Sequence, residues 1–126
     1  MNREIKFRAF DDGKMLTMPL DTYYGISRFF GLLRDDAILM QFTGLLDKNG
    51  KEIYEGDIMK VQHRTIGSGE NTKYTTFNIP VEFYMGKFYL SWDIPYGKYR
   101  FRQGGMEHFE IIGNIYENPE LLTNKQ

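Results

Sequence analysis

Four carboxylates, Asp47, Glu52, Glu55 and Asp57, stand close together in the stretch QFTGLLDKNGKEIYEGDIMKV. Paired carboxylates can share a proton or hold a hard cation, so this is where an acid/base or metal-dependent hydrolase would place its machinery. The spacing is not that of an EF-hand loop, and no His or Cys joins it at ligand spacing. The pattern favours the simpler reading, in which the four acids are solvated turn residues. His63 and His108 fall on different expected strands without a Ser partner, so neither zinc hydrolysis nor a catalytic triad is supported.

A second chemistry is carried by Lys98-Tyr99-Arg100-Phe101-Arg102, in which cation and aromatic alternate. On a strand, Lys98, Arg100 and Arg102 would share one face and could track a phosphate backbone while rings such as Tyr96 stack on bases. The competing reading is an edge strand whose cations pair with nearby acids and whose Tyr99 and Phe101 face a core. The chain has 16 basic and 17 acidic residues, a formal net charge of −1, and no global field to gather nucleic acid or an anionic membrane. Nucleic-acid binding is therefore the alternative reading and not the favoured one.

The third grouping is aromatic. Tyr23, Tyr24, Phe29 and Phe30 sit in a segment where Ile26, Phe29, Phe30 and Leu33 repeat at i, i+3, i+4 and i+7, one face of a short helix. Gly25 and Gly31 cost that helix about 1 kcal/mol each relative to alanine, so it must gain its stability by burying aromatic side chains. The stripe could line a pocket, but aromatics at helical spacing are usually core or interface, and self-association is the reading taken for these four residues.

These groupings need elements to position them. The chain is 126 residues long, with 41% hydrophobic, 26% charged and 16% aromatic residues and no cysteine. That size is one domain or two small subdomains, and the aromatic surplus leans toward strands. Without cysteine the fold stands on packing alone, as suits a reducing compartment, with the cytoplasm as the default, and no disulfide or thiol chemistry is available. The segment Met1 to Leu20 has no apolar core of signal-peptide length, and no apolar run approaches the ~20 residues of a membrane helix, so no membrane association is expected.

Ile5 to Phe10 alternates, placing Ile5, Phe7 and Ala9 on one face and Lys6, Arg8 and Phe10 on the other; Asp11-Asp12-Gly13 turns the chain, and Lys14 to Met18 returns as a hairpin. Lys6 and Arg8 are read as solubilising, edge-protecting charges. Ala37 to Phe42 is a strand, Asn49-Gly50 and Glu55-Gly56 mark reversals, and Ile58 starts a strand reaching Ile66. After the Gly67 to Asn71 connection come strands at Lys73 to Ile79 and Val81 to Tyr84, with Pro80 marking an edge or bulge. Phe88 to Trp92 completes a hairpin with Val81, Phe83, Phe88, Leu90 and Trp92 available for burial. Phe109 to Tyr116 closes the set with a bulge at Gly113. Asn118-Pro119 begins a helical turn that brings Leu121 and Leu122 to the end of the barrel.

The blocks REIKFRAFDDGKM, MQFTGLLDKNGKEIYEGDIMKV and EIIGNIYENPELL together resemble the YopX family of phage and prophage proteins, over nearly the whole chain. The resemblance implies a small phage-borne protein of Gram-positive bacteria with a C-terminal part similar to SH3-type barrels and a tendency to self-assemble, and it carries over no catalytic residues. The expectation is a mainly β (α+β) chain, with a hairpin and short helix over residues 1–50 and an SH3-like small barrel or roll over 51–126. The function expected is that of a non-catalytic phage accessory protein, without cofactor or metal, forming a homo-oligomer and binding a phage or host protein. The alternatives are a nucleic-acid-binding small barrel and a metal-dependent hydrolase.

Overall fold

The computed structural model describes residues 5–18, 23–67, 69–84, 87–90, 99–100 and 109–122; inside its elements, nothing is said of the side chains of residues 23–24, 62–66, 74–75, 84 and 99–100. The chain is mainly β. Strands β1 (Phe7–Asp11) and β2 (Lys14–Thr17), helix α1 (Tyr23–Leu32), and strands β3 (Ile38–Leu46) and β4 (Glu52–Tyr54) come first. Strands β5 (Asp57–Ile66), β6 (Lys73–Tyr84), β7 (Lys87–Leu90), β8 (Tyr99–Arg100) and β9 (Glu110–Asn114) follow, with 3-10 turns at Gly69–Asn71 and Pro119–Leu122. Two antiparallel sheets result, ordered β2-β1-β3-β4 and β8-β7-β6-β5-β9.

Local chemistry sets the reversals. The β1–β2 hairpin pairs Asp11 with Lys14 across a two-residue loop. Asp12 and Gly13 there have φ of 52° and 78°, the left-handed pair that matches the twist of a tight hairpin. At the β4–β5 turn Gly56 has φ of 90°, and a Cβ on it would meet the Met40 sulfur at 3.0 Å. Two constraints, backbone conformation and close approach, therefore fall on one residue.

The second sheet curls into a half-barrel, as expected of a small barrel or roll. Its core is Ile53, Met59, Val61, Ile79, Val81, Phe88 and Leu90, with Ile53 supplied by β4 from the first sheet. Phe83 departs from the expected burial. It pairs with Phe88 across the β6–β7 ladder, but it lies at the rim and is 46% exposed. Pro80 lies within a continuous strand. It is the last residue of β6 paired to β5, and Val81 is the first paired to β7 on the opposite side, so the missing N–H falls where the ladder passes from one neighbour to the other. The β9 bulge is present: Ile58 faces Gly113 and Met59 faces Ile111, with Ile112 as the extra residue.

Lys6 and Arg8 are not edge charges. Strand β1 lies between β2 and β3, and the face carrying Lys6, Arg8 and Phe10 turns toward the second sheet, where Phe10 stacks on Tyr116 at 5.3 Å. The opposite face, with Phe7 and Ala9, turns toward α1, where Phe7 meets Phe30 edge-on at 6.2 Å.

Candidate functional site

The carboxylates of the central stretch hold the two sheets together. The Asp57 carboxylate accepts from Arg8 Nη2 at 2.8 Å and from the Tyr54 backbone N–H at 2.8 Å. Arg8 also donates to the Glu55 carbonyl at 3.3 Å, and its guanidinium lies 4.8 Å from the Tyr54 ring centroid. Lys6 pairs with Glu52, and the Tyr54 hydroxyl donates to the same carboxylate at 3.3 Å. A ladder of side chains from β1 is thus bonded to β4 and the start of β5.

Asp47 serves a second junction. Its carboxylate accepts backbone N–H groups from Asn49 at 2.8 Å, Lys51 at 2.9 Å and Ile111 at 3.0 Å. The Lys48 N–H donates to the Phe109 carbonyl at 2.9 Å, so the β3–β4 turn is fastened to β9. Asp47 and Asp57 are both buried, which corrects the expectation of solvated turn residues. The reason is that each side chain satisfies backbone donors that would otherwise be orphaned in the interior.

The two carboxyls respond oppositely to this burial. Desolvation is the largest influence on each and favours the neutral form. At Asp57 it prevails over Arg8 and the Tyr54 N–H, and the pKa is raised. At Asp47 the backbone donors of Ile111, Lys51 and Asn49, with the Lys51 charge, outweigh it, and the pKa is lowered.

A polar cleft of about 320 Å³ lies against this junction, lined by Arg8, Lys51, Glu52, Asp57 and Ile111 to Asn114. Its carboxylates are already engaged within the chain. Among the described residues, no three His, Cys, Asp or Glu side chains come together as a metal site.

Two further features are apolar. On the α1 side of the first sheet, Leu16, Ala9 and Leu39 form one cross-strand row. Ala9 is fully buried, but Leu39 is 46% exposed, and Ile5 and Leu32 beside this face are 58% and 67% exposed. The second feature is a groove of about 210 Å³ between the start of β3 and the end of β6, where Ile38, Val81, Phe83 and Tyr116 meet Glu55 and Glu82.

Of the self-association candidates, Phe29 and Phe30 pack edge-to-face at 5.2 Å, and Phe30 bridges from Phe7 to solvent. Tyr23 and Tyr24 open α1, but their side chains lie outside the description. Of the cation row, Arg100 lies on β8 opposite Tyr89, while Lys98 and Arg102 are outside the described residues, as is His108. Among the described residues no helix is long and apolar enough to cross a membrane. The sequence reading missed Leu16, Leu32 and Leu39 as exposed apolar positions. The segments holding them read as a returning strand, a helix and a strand, and only the extent of α1 cover decides their exposure.

The family described as YopX protein matches residues 20–123. The chain belongs to the YopX family. A solved structure similar to this YopX-family chain is the crystal structure of protein EF1440 from Enterococcus faecalis, 26% identical, covering 96% of this chain and 99% of that one with a TM-score of 0.59. A search of curated proteins gives no match. The family match runs from α1 through β9 and begins after the β1–β2 hairpin.

Proposed function

We propose that this YopX-family chain is a non-catalytic accessory protein of a phage or prophage, working in the host cytoplasm by self-association and by binding another protein. The observation that carries the reading is the incompletely covered α1 face of the first sheet, where Ile5, Leu16, Phe30, Leu32 and Leu39 retain exposed apolar surface. Exposed apolar surface gains about 25 cal/mol per Å² when a partner removes it from water, and patches of a few hundred Å² mark interaction sites. The junction supports the non-catalytic half, because Asp47 and Asp57 spend their lone pairs on backbone and guanidinium donors.

A stable association through this face needs an interface on the order of 1,000 Å² or more. Light scattering across a range of protein concentrations tests it: a mass that is a multiple of the 14.9 kDa chain is expected, and a strict monomer at high concentration would refute it.

A further inference from the structure

We propose that the groove between β3 and β6 receives a segment of a partner protein in which an apolar side chain stands next to a lysine or arginine. This rests on the protein-binding half of the proposed function and gives that binding a location and a chemistry.

The groove combines two properties. Its walls are apolar, with Ile38, Val81, Phe83 and Tyr116 from three parts of the chain, and Phe83 stands 46% exposed at the rim while its ring leans on Phe88 at 4.9 Å. An apolar side chain entering there would be surrounded by aliphatic and aromatic surface. Its charged positions are acidic: Glu55 and Glu82 line it, and among the described residues no lysine or arginine does. The Glu55 carboxylate accepts the Gln41 N–H at 3.4 Å, and among the described residues no cation forms an ion pair with it.

A half-buried carboxylate beside apolar walls favours one kind of visitor. A lysine or arginine can lay its aliphatic stem on the wall and bring its charge to Glu55. An acidic segment would meet two like charges, and a wholly apolar one would leave Glu55 further desolvated without a counter-charge. Glu55 already acts on its surroundings: the Tyr116 hydroxyl has its pKa raised first by burial and next by the Glu55 charge. The groove adjoins the α1 face: Ile38 lies in the Phe10 row, on the side of the first sheet opposite the Ala9–Leu39 row, and Leu39 itself reaches the groove's edge.

The test is selection of a random heptapeptide library displayed on filamentous phage against the folded protein, followed by fluorescence-polarisation titration of the selected peptides. The expected winners carry Leu, Ile, Met or an aromatic residue adjacent to Lys or Arg. Glu55→Gln, which keeps the acceptor for Gln41, and Phe83→Ala should each weaken them about threefold to tenfold. Added salt should weaken the wild type and affect Glu55→Gln less. Thermal melts of both variants confirm folding. Winners lacking a basic residue, affinities unchanged in both variants, or no enrichment would each overturn the proposal. So would a change in the protein's own mass caused by Phe83→Ala, since the occupant would then be a second copy. Light scattering on the same samples separates the two readings. An oligomer that enriches no peptide overturns the groove alone, and a monomer that enriches apolar-basic peptides overturns self-association alone.

Discussion

Arg8 and Asp57 meet at 2.8 Å with only 11% and 3% of their side chains exposed, joining the inner strand β1 of one sheet to the inner strand β5 of the other. A pair this deep is held in place by its supplementary bonds, to the Tyr54 N–H and the Glu55 carbonyl. Its Coulomb attraction alone would barely offset the desolvation of two ions.

Breaking the pair from one side should therefore cost more than removing it whole. Asp57→Ala leaves the Arg8 guanidinium buried without its anion, and a loss of about 3–5 kcal/mol is expected in urea unfolding. The double variant Arg8→Met with Asp57→Leu should recover a substantial part of that loss. A double variant less stable than Asp57→Ala would show that the pair itself contributes net stability.

The two buried carboxyls give the stability curve opposite slopes in acid. Asp47 has its folded pKa below the ordinary 3.8, so the unfolded chain binds its proton first; its stabilisation is complete above 3.8 and is lost as pH falls through the folded value. Asp57 has its folded pKa above 3.8, so its contribution is fullest below 3.8 and declines as pH rises through the folded value. Asp47→Asn should flatten the acid-side loss of stability, measured as melting temperature from pH 2 upward on about half-unit steps. An unchanged acid limb would contradict the assigned role of Asp47.

Gly56 is the residue of the central turn least able to change. With φ at 90° and the Met40 sulfur 3.0 Å from a would-be Cβ, Gly56→Ala should cost about 1–2 kcal/mol from backbone strain alone. Adding Met40→Ala should not restore it, because strain in φ does not depend on the neighbour. Full recovery in the double variant would assign the effect to crowding.

Much of the architecture was legible because its signals are local. Asp12-Gly13, Asn49-Gly50 and the helical spacing of Ile26, Phe29, Phe30 and Leu33 each specify a conformation within a few residues. The junction was not legible, for the opposite reason. Arg8 reaches Asp57 across 49 positions and Asp47 reaches Ile111 across 64, so no local window distinguishes a buried clasp from a solvated turn. Alternation also separated the two faces of β1 correctly, but it could not say that the charged face meets a second sheet. The same limit hid the exposed leucines, since period alone does not report how much of a face a ten-residue helix covers.

The central claim is that the α1 face of the first sheet joins copies of this chain. Sedimentation equilibrium of the wild type beside Leu39→Lys tests it most directly, with Phe83→Ala as the control on the adjoining groove, which Leu39 also borders. Leu39 is already 46% exposed, so lysine there should leave the fold intact while placing a charge in the contact. A wild-type oligomer reduced to monomer by Leu39→Lys and untouched by Phe83→Ala is the expected result. A wild-type monomer, or an oligomer indifferent to Leu39→Lys, would contradict it.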